Sequence, residues 1–399
     1  MHQANQINIS SRYTRYKSLL LVATLAASFC SYTPALAFSQ ADEGWTLVQQ
    51  AGTAALDASE YGSAETLFKE AVARAQAFGP NDMRLAKSAG ELGRLYTIRG
   101  RFTEAAPYLE EELRIKKAAL GEENGQIIPA MGSLVRFYLT YGNSAKADPL
   151  TDQMLAAIAD RLKQARAKSQ VKMMPGQPLQ GWCATAAPEK KDDLIDWAIA
   201  CDAVGNDYRL IQKFDLAEKL FQTAMDLKTT VYGNNHLTLA NSYDNMGTLY
   251  MAKEDYSEAE GFYEDALSIT EKTVPDHTHE IYNRLDKLAK CLMKEQKYDK
   301  AEALYTQALT FWTADQPSKY GDDARAMYSL GSIYIEQKNF EAAAPKLEEA
   351  LQAAERFNGP SSIALVPYLE KYAYALYYLG RKPDVDRLRA RASTISGVM

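Results

Sequence analysis

Residue types able to do chemistry are plentiful in this 399-residue chain, but their spacing assembles no reaction centre. His279-Glu280-Ile281-Tyr282-Asn283 is half of a zinc-protease helix, with asparagine where the second histidine ligand should stand. No Gly-x-x-x-x-Gly-Lys-Ser/Thr loop is present to cradle phosphates, and no Gly-x-Gly-x-x-Gly turn to take a dinucleotide. A Gly-x-Ser-x-Gly elbow, which would raise a serine nucleophile, is also missing. The carboxylates are spread over the chain and single out no acid–base pair. Among the four histidines, His236, His277 and His279 fall where helices are expected to begin, so hydrogen bonding at helix starts accounts for them. Cys291 reads as a small buried apolar side chain. The expectation is a non-enzyme with no catalytic, cofactor-binding or metal site.

One pair of cysteines stays open to two readings. Cys183 and Cys201 stand 18 residues apart. They would either close a disulfide, stabilising by about 3 kcal/mol through loop entropy, or remain free thiols. Cys183 belongs to the least repetitive stretch, residues 166–193, which holds Pro175, Gly176, Pro178, Gly181 and Pro188. Prolines at that density forbid a long helix through its middle. The stretch is expected to be an insertion, and an enzymatic or enzyme-accessory role would have to act through it.

Charge and hydropathy narrow the classes further. The net charge is −6, and the three bases Arg12, Arg15 and Lys17 lie in the first 37 residues with no acid among them. An acidic chain does not bind a nucleic-acid backbone as its main task. The one sustained apolar run, residues 18–30, is shorter than the roughly 20 residues that span a bilayer. That excludes an integral membrane protein of the helical kind. The run follows a basic stretch and precedes Ala35-Leu36-Ala37, the pattern of a secretory signal cleaved after Ala37. Residues 1–37 are therefore expected to be a signal peptide, and the rest an exported protein, periplasmic or secreted.

The elements that must position the remaining residues show in a repeat. Tyr61, Phe102, Ser144, Phe214, Tyr256, Tyr298, Phe340 and Lys382 are anchors at spacings of 41, 42, 70, 42, 42, 42 and 42. The long spacing equals one period plus an insertion of 28. Nine residues before the anchor a small residue recurs, as Gly52, Gly93, Gly205, Gly247, Ala289, Gly331 and Ala373. Glycine in a helix costs about 1 kcal/mol against alanine, so its recurrence predicts close approach by a neighbouring helix. Alanines recur three and ten residues after the anchor. An aromatic stands six before it in Tyr96, Tyr138, Tyr208, Tyr250 and Tyr334, and is expected in the core. Gly79, Gly121, Gly233, Pro275, Pro317 and Gly359 recur at the phase of a stop between units. Each unit is thus a pair of helices, in blocks of about three over 42–165 and about five over 194–397.

This pattern resembles the tetratricopeptide repeat, and the 42-residue period is similar to the longer variant of kinesin light chains. Gly233-Asn234-Asn235-His236-Leu237-Thr238-Leu239-Ala240, followed by Asn245-Met246-Gly247-Thr248-Leu249-Tyr250, is close to that variant's turn and first helix. The resemblance implies an all-α, right-handed superhelical solenoid of about eight helix pairs, with first helices lining a concave groove. Such a groove suits a protein or peptide partner, since side chains at one phase recur along it. Candidate groove residues are the acids Asp202, Asp244 and Asp286, with Asn245 and Thr248, and the bases Arg94, Arg136 and Lys290. The competing reading is a solvated face laced by pairs such as Asp286 with Lys290. Leu194-Ile195-Asp196-Trp197 looks like a tryptophan-acidic peptide but falls at a helix start, so Trp197 is expected in the core. The function expected is an exported scaffold or adaptor. The alternative is a self-associating, homo-oligomeric component of an envelope assembly.

Overall fold

A helix with an apolar stripe is stable in water only when another helix covers the stripe, and here each helix is covered by its sequence neighbours. The computed structural model describes residues 34–122, 124–168, 191–313 and 316–397. Among them are sixteen α-helices and no strand. They form eight pairs: α1 (Pro34–Asp57) and α2 (Tyr61–Gln76), α3 (Met83–Ile98) and α4 (Phe102–Leu120), α5 (Ile128–Thr140) and α6 (Ser144–Lys168), α7 (Lys191–Leu210) and α8 (Phe214–Tyr232). Then come α9 (Leu237–Ala252) and α10 (Tyr256–Thr273), α11 (Thr278–Lys294) and α12 (Tyr298–Leu309), α13 (Asp322–Glu336) and α14 (Phe340–Asn358), and α15 (Val366–Tyr378) and α16 (Lys382–Ser396). All eight anchors open the second helix of their pair. The chain falls into two compact units, one ending at Gly121 and one beginning at Glu122.

The recurring glycine has the expected cause. A Cβ added at Gly247 would lie 2.7 Å from the Tyr263 ring, and one at Gly205 would lie 2.8 Å from the Phe221 ring. The intruding ring stands seven residues after the anchor in both pairs, so the two helices touch where only hydrogen fits. The turn inside each pair is just as regular. Two residues before every anchor the backbone enters the left-handed region, at Gly100, Gly142 and Gly380 and also at Ser59, Gln212, Glu254, Gln296 and Lys338. Side chains in that region cost about 1–2 kcal/mol each, a strain the packed helices on both sides outweigh.

Gly121, Gly233 and Gly359 cap the second helices of their pairs, and Thr273 ends α10 two residues before Pro275. Pro317 does not do the same work. Helix α12 ends at Leu309, well short of it. Thr310-Phe311-Trp312-Thr313 are poor helix formers, and Trp312 meets the Tyr282 ring edge-on at 5.6 Å. At the expected insertion, α6 runs through Lys168 and α7 starts at Lys191, so the helices extend past both proposed ends. Residues 169–190, with Cys183, lie outside the described residues, as do residues 1–33 of the expected signal peptide. The pairs on either side of the insertion pack directly. Trp197 is a core residue, 1% exposed, and donates its indole N–H to the Gly125 carbonyl at 3.0 Å. Thr151 and Tyr208 share a buried hydroxyl contact of 2.9 Å across the same junction.

Candidate functional site

Successive first helices in the second unit are joined by polar side chains, and the expected groove residues are the ones that join them. Asp202 on α7 accepts from Lys228 at 2.5 Å and from Asn245 on α9 at 3.2 Å. Asp244 on α9 accepts from Arg284 and, at 2.7 Å, from Lys287, both on α11. Arg284 also donates to Asn241 at 2.6 Å and to the Thr270 hydroxyl at 3.3 Å. Thr248 donates to the Asp244 carbonyl at 2.8 Å and touches the Tyr263 hydroxyl at 3.2 Å. Asp286 pairs with Lys290 one turn away at 2.7 Å and accepts from the Tyr305 hydroxyl at 2.9 Å. Asp202, Asn245, Asp244 and Thr248 thus come together on neighbouring helices, while Asp286 and Lys290 form the simple helix-face pair.

The fate of each charge differs from a plain surface acid or base. Asp244 is only 4% exposed, so its carboxylate holds α9 to α11 and is not open to solvent. Arg94, in the first unit, lies 3.0 Å from Glu91 and 3.2 Å from Glu112. Arg136 bonds Asp207 at 2.8 Å. Each of these cations is thus paired with a carboxylate. Lys290 and Arg136 keep most of their exposure, at 60% and 53%.

A second set of contacts at another phase escaped the sequence reading. Four of the five tyrosines six before the anchor, Tyr96 and Tyr208 buried and Tyr250 and Tyr334 partly so, reach with their hydroxyls an acid on the preceding pair. Tyr250 donates to Glu218 at 2.9 Å, Tyr334 to Glu302 at 2.8 Å, Tyr208 to Asp148 at 3.0 Å and Tyr96 to Glu65 at 3.3 Å. Lysine or arginine completes the latch at Glu218 (Lys253, 2.9 Å), Asp148 (Lys213, 2.5 Å) and Glu65 (Arg101, 2.7 Å). Glu260 takes Lys297 at 2.6 Å without a tyrosine. The signal was available, since Glu65, Asp148, Glu218, Glu260 and Glu302 all stand four residues after an anchor.

Repeats of this length, with paired helices, a glycine under an aromatic and first helices in succession, are matched by the tetratricopeptide-repeat profile over residues 42–148, 198–272 and 278–356. The chain belongs to the tetratricopeptide-repeat family. Among solved structures it is similar to BtubC from P. vanneervenii, at 15% identity over 65% of this chain and 92% of that one, TM-score 0.44. It is also similar to a kinesin-light-chain-type protein of Podosopora anserina with nearly identical TPR-like repeats, at 19% identity over 58% and 96%, TM-score 0.43. A signal-transduction ATPase with a tetratricopeptide-repeat sensor from Pyrococcus horikoshii matches at 12% identity and TM-score 0.51, over 88% of this chain and 47% of that one. These likenesses concern the fold. No curated protein matches the sequence.

In a tetratricopeptide array of this kind the reactive side chains are absorbed by the scaffold. His236 caps α9 by accepting from the Thr238 N–H at 3.3 Å. His279 is not explained by its helix start: its Nδ1 lies 2.8 Å from Asp322 on the next pair. Cys201 is fully buried and bridged to no described cysteine, and burial pushes its thiol up to about 12. Cys291, also buried, donates to the Tyr256 carbonyl at 3.2 Å and is pushed up to about 12 by burial. Neither is a thiolate at neutral pH, so neither is a nucleophile there. Among the described residues no three His, Cys, Asp or Glu side chains converge as a metal site would require, and no helix is long and apolar enough to cross a membrane.

The latch carboxylates give the array a pH dependence. Hydrogen bonds from Lys253, Lys297 and Lys69 hold Glu218, Glu260 and Glu65 below their ordinary 4.5, against a smaller opposing effect of burial. A depressed folded value stabilises above the unfolded value, and that stabilisation is lost as pH falls through the folded one. Urea midpoints followed by circular dichroism should therefore hold steady at neutral pH and drop once the pH passes below 4.5. In the triple variant Glu65→Gln, Glu218→Gln, Glu260→Gln the neutral-pH midpoint should be lower and the acid decline shallower. An acid limb unchanged in that variant rejects the assignment.

Proposed function

We propose that this tetratricopeptide-repeat chain is a non-catalytic scaffold that binds a protein or peptide along the surface of its first helices, and that it works outside the cytoplasm after residues 1–37 are removed. The observation that carries the binding reading is the direct succession of α7, α9 and α11, each bonded to the next by side chains of one phase. A surface on which equivalent positions recur at a fixed step can be matched in series by an extended chain or a helix. The buried acid Asp244 makes that surface rigid, and the exposed bases Arg136 and Lys290, both eight residues before an anchor, remain to meet the partner. Preorganisation of this kind lowers the ordering cost of association. Export rests on the sequence pattern around Ala35-Leu36-Ala37.

Affinity capture from the exported fraction tests the reading. Arg136→Glu with Lys290→Glu should reduce recovery of the partner by about tenfold while helicity is unchanged, because rim charges set encounter and register. Full recovery by the folded double variant rejects this surface as the docking face. Sequencing the N-terminus of the captured protein tests cleavage, and a chain that retains Met1 ends the export reading.

A further inference from the structure

Seventeen residues before the anchor, every pair from the second onward buries one side chain at the entry to its first helix. It is Leu85, Ile127, Trp197, Leu239, Ile281 and Leu365 in six of these seven pairs, each at most 8% exposed. In the remaining pair it is Asp323, just 5% exposed. A carboxylate thus occupies a phase that the scaffold everywhere else fills with a large apolar group. Its neighbour Asp322 is also buried but is well satisfied, by Ser318 at 3.0 Å, His279 at 2.8 Å and Arg325. Asp323 has no such company. Among the described residues its carboxylate takes one hydrogen bond, from the adjacent Ala324 N–H at 2.9 Å, and no ion pair. The first turn of α13 gives the carboxylate the favourable end of the helix dipole but no counter-charge, and burying a charge without one is costly; a local rule broken in one pair alone marks a candidate functional position.

The space beside Asp323 opens where the preceding helix stops early. Helix α12 stops after 12 residues, where α8 has 19 and α10 has 18. Beyond its end lies a cavity of about 160 Å³ with Leu309, Trp312 and Met327 as apolar walls, Asp323 as its buried acid, and Glu349 and Arg356 on the solvent side. A cavity near 150 Å³ holds a molecule of benzene size, so the space fits one side-chain-sized stem and no folded segment.

We infer that this cavity binds a primary alkylammonium group, its charge on Asp323 and its methylene stem against Trp312 and Met327. An anion is repelled by the buried acid. A hard divalent cation requires several converging oxygens, and only one carboxylate of the lining is buried, Glu349 and Gln352 being exposed at the mouth. The carboxylate already has one oxygen on the Ala324 N–H, which suits a compact ammonium better than the two-pronged guanidinium. The ammonium could come from a free amine or from a lysine of a partner protein. The site lies apart from the ladder of α7, α9 and α11 and does not depend on the docking reading above.

Titration of the full chain with cadaverine and, separately, with Nα-acetyl-lysine amide, by NMR and calorimetry, tests the assignment. Saturable binding by either probe, absent with the norleucine analogue, is expected; which probe binds more tightly identifies the free amine or the protein lysine as the source. Asp323→Leu, which restores the residue type of the other pairs, should raise the melting temperature and weaken binding by about tenfold or more. Asp323→Asn, of the same shape without the charge, should also weaken it. The assignment is overturned if neither probe binds at millimolar concentration, if Asp323→Leu binds as well as the native protein, or if both variants unfold, since Asp323 would then be a structural cap of α13.

Discussion

Asp244→Leu should destabilise the second unit by about 3–5 kcal/mol, the cost of leaving a buried partner charge without its counter-ion. Arg284 is the partner concerned. Their side chains are 6% and 10% exposed, so water cannot solvate the guanidinium once the acid is gone. Lys287, at 39%, swings out to solvent and adds little. The pair is not thereby the source of the array's stability. Replacing both members, Asp244→Leu with Arg284→Met, should recover most of the loss, because apolar groups of similar volume fill the same space with no desolvation to offset. Urea unfolding of the two single variants and the double variant gives the coupling directly. A neutral Asp244→Leu, or a double variant as unstable as the worse single one, rules out the buried pair as described. The loss should be felt beyond one repeat, since an array of helix pairs is stabilised through nearest-neighbour interfaces. Asp244 and Arg284 form one such interface.

Much of this architecture could be read from the residues, for a physical reason. Identical helix pairs must present identical contacts, so the apolar and small positions repeat in phase, and all eight anchors coincide with the first residue of a second helix. What the residues did not disclose is which polar groups are spent internally. Asp202, Asp244 and Asp286 share one phase, yet their surroundings differ. Asp244 is buried because Arg284 reaches it from the next pair, and position 284 holds no charge-bearing counterpart in the neighbouring units, where Ser242 and Ala326 stand. A period reveals what recurs and is silent about such single exchanges. The early end of α12 is another case: Pro317 keeps the phase of a stop, but Thr310-Phe311-Trp312-Thr313 ends the helix first by poor propensity and by the packing of Trp312. Asp323, beside that end, is legible only as an exception once the buried phase around it is known.

Two glycines on adjacent helices should respond to the same substitution with opposite signs. Gly261 lies on α10 with nothing within 4 Å of an added Cβ, so Gly261→Ala should stabilise by about 1 kcal/mol, the helix-propensity difference. Gly247 lies on α9, and its added methyl would sit 2.7 Å from the Tyr263 ring. The same gain in propensity applies there, but the ring is 4% exposed and cannot swing aside. Overpacking of a tight core costs about 1–3 kcal/mol for a methyl-sized intrusion, and a larger side chain costs more. Gly247→Ala is therefore expected to destabilise, and Gly247→Leu to melt the pair of α9 and α10. The cause can be separated from any general intolerance of the position. In a Tyr263→Ala background, already weakened by the loss of the ring, Gly247→Ala should turn stabilising, because the methyl then enters space the ring has vacated. If the sign at Gly247 does not reverse in that background, the glycine is required by something other than its contact with Tyr263, and the account of the recurring small residue nine before each anchor fails with it.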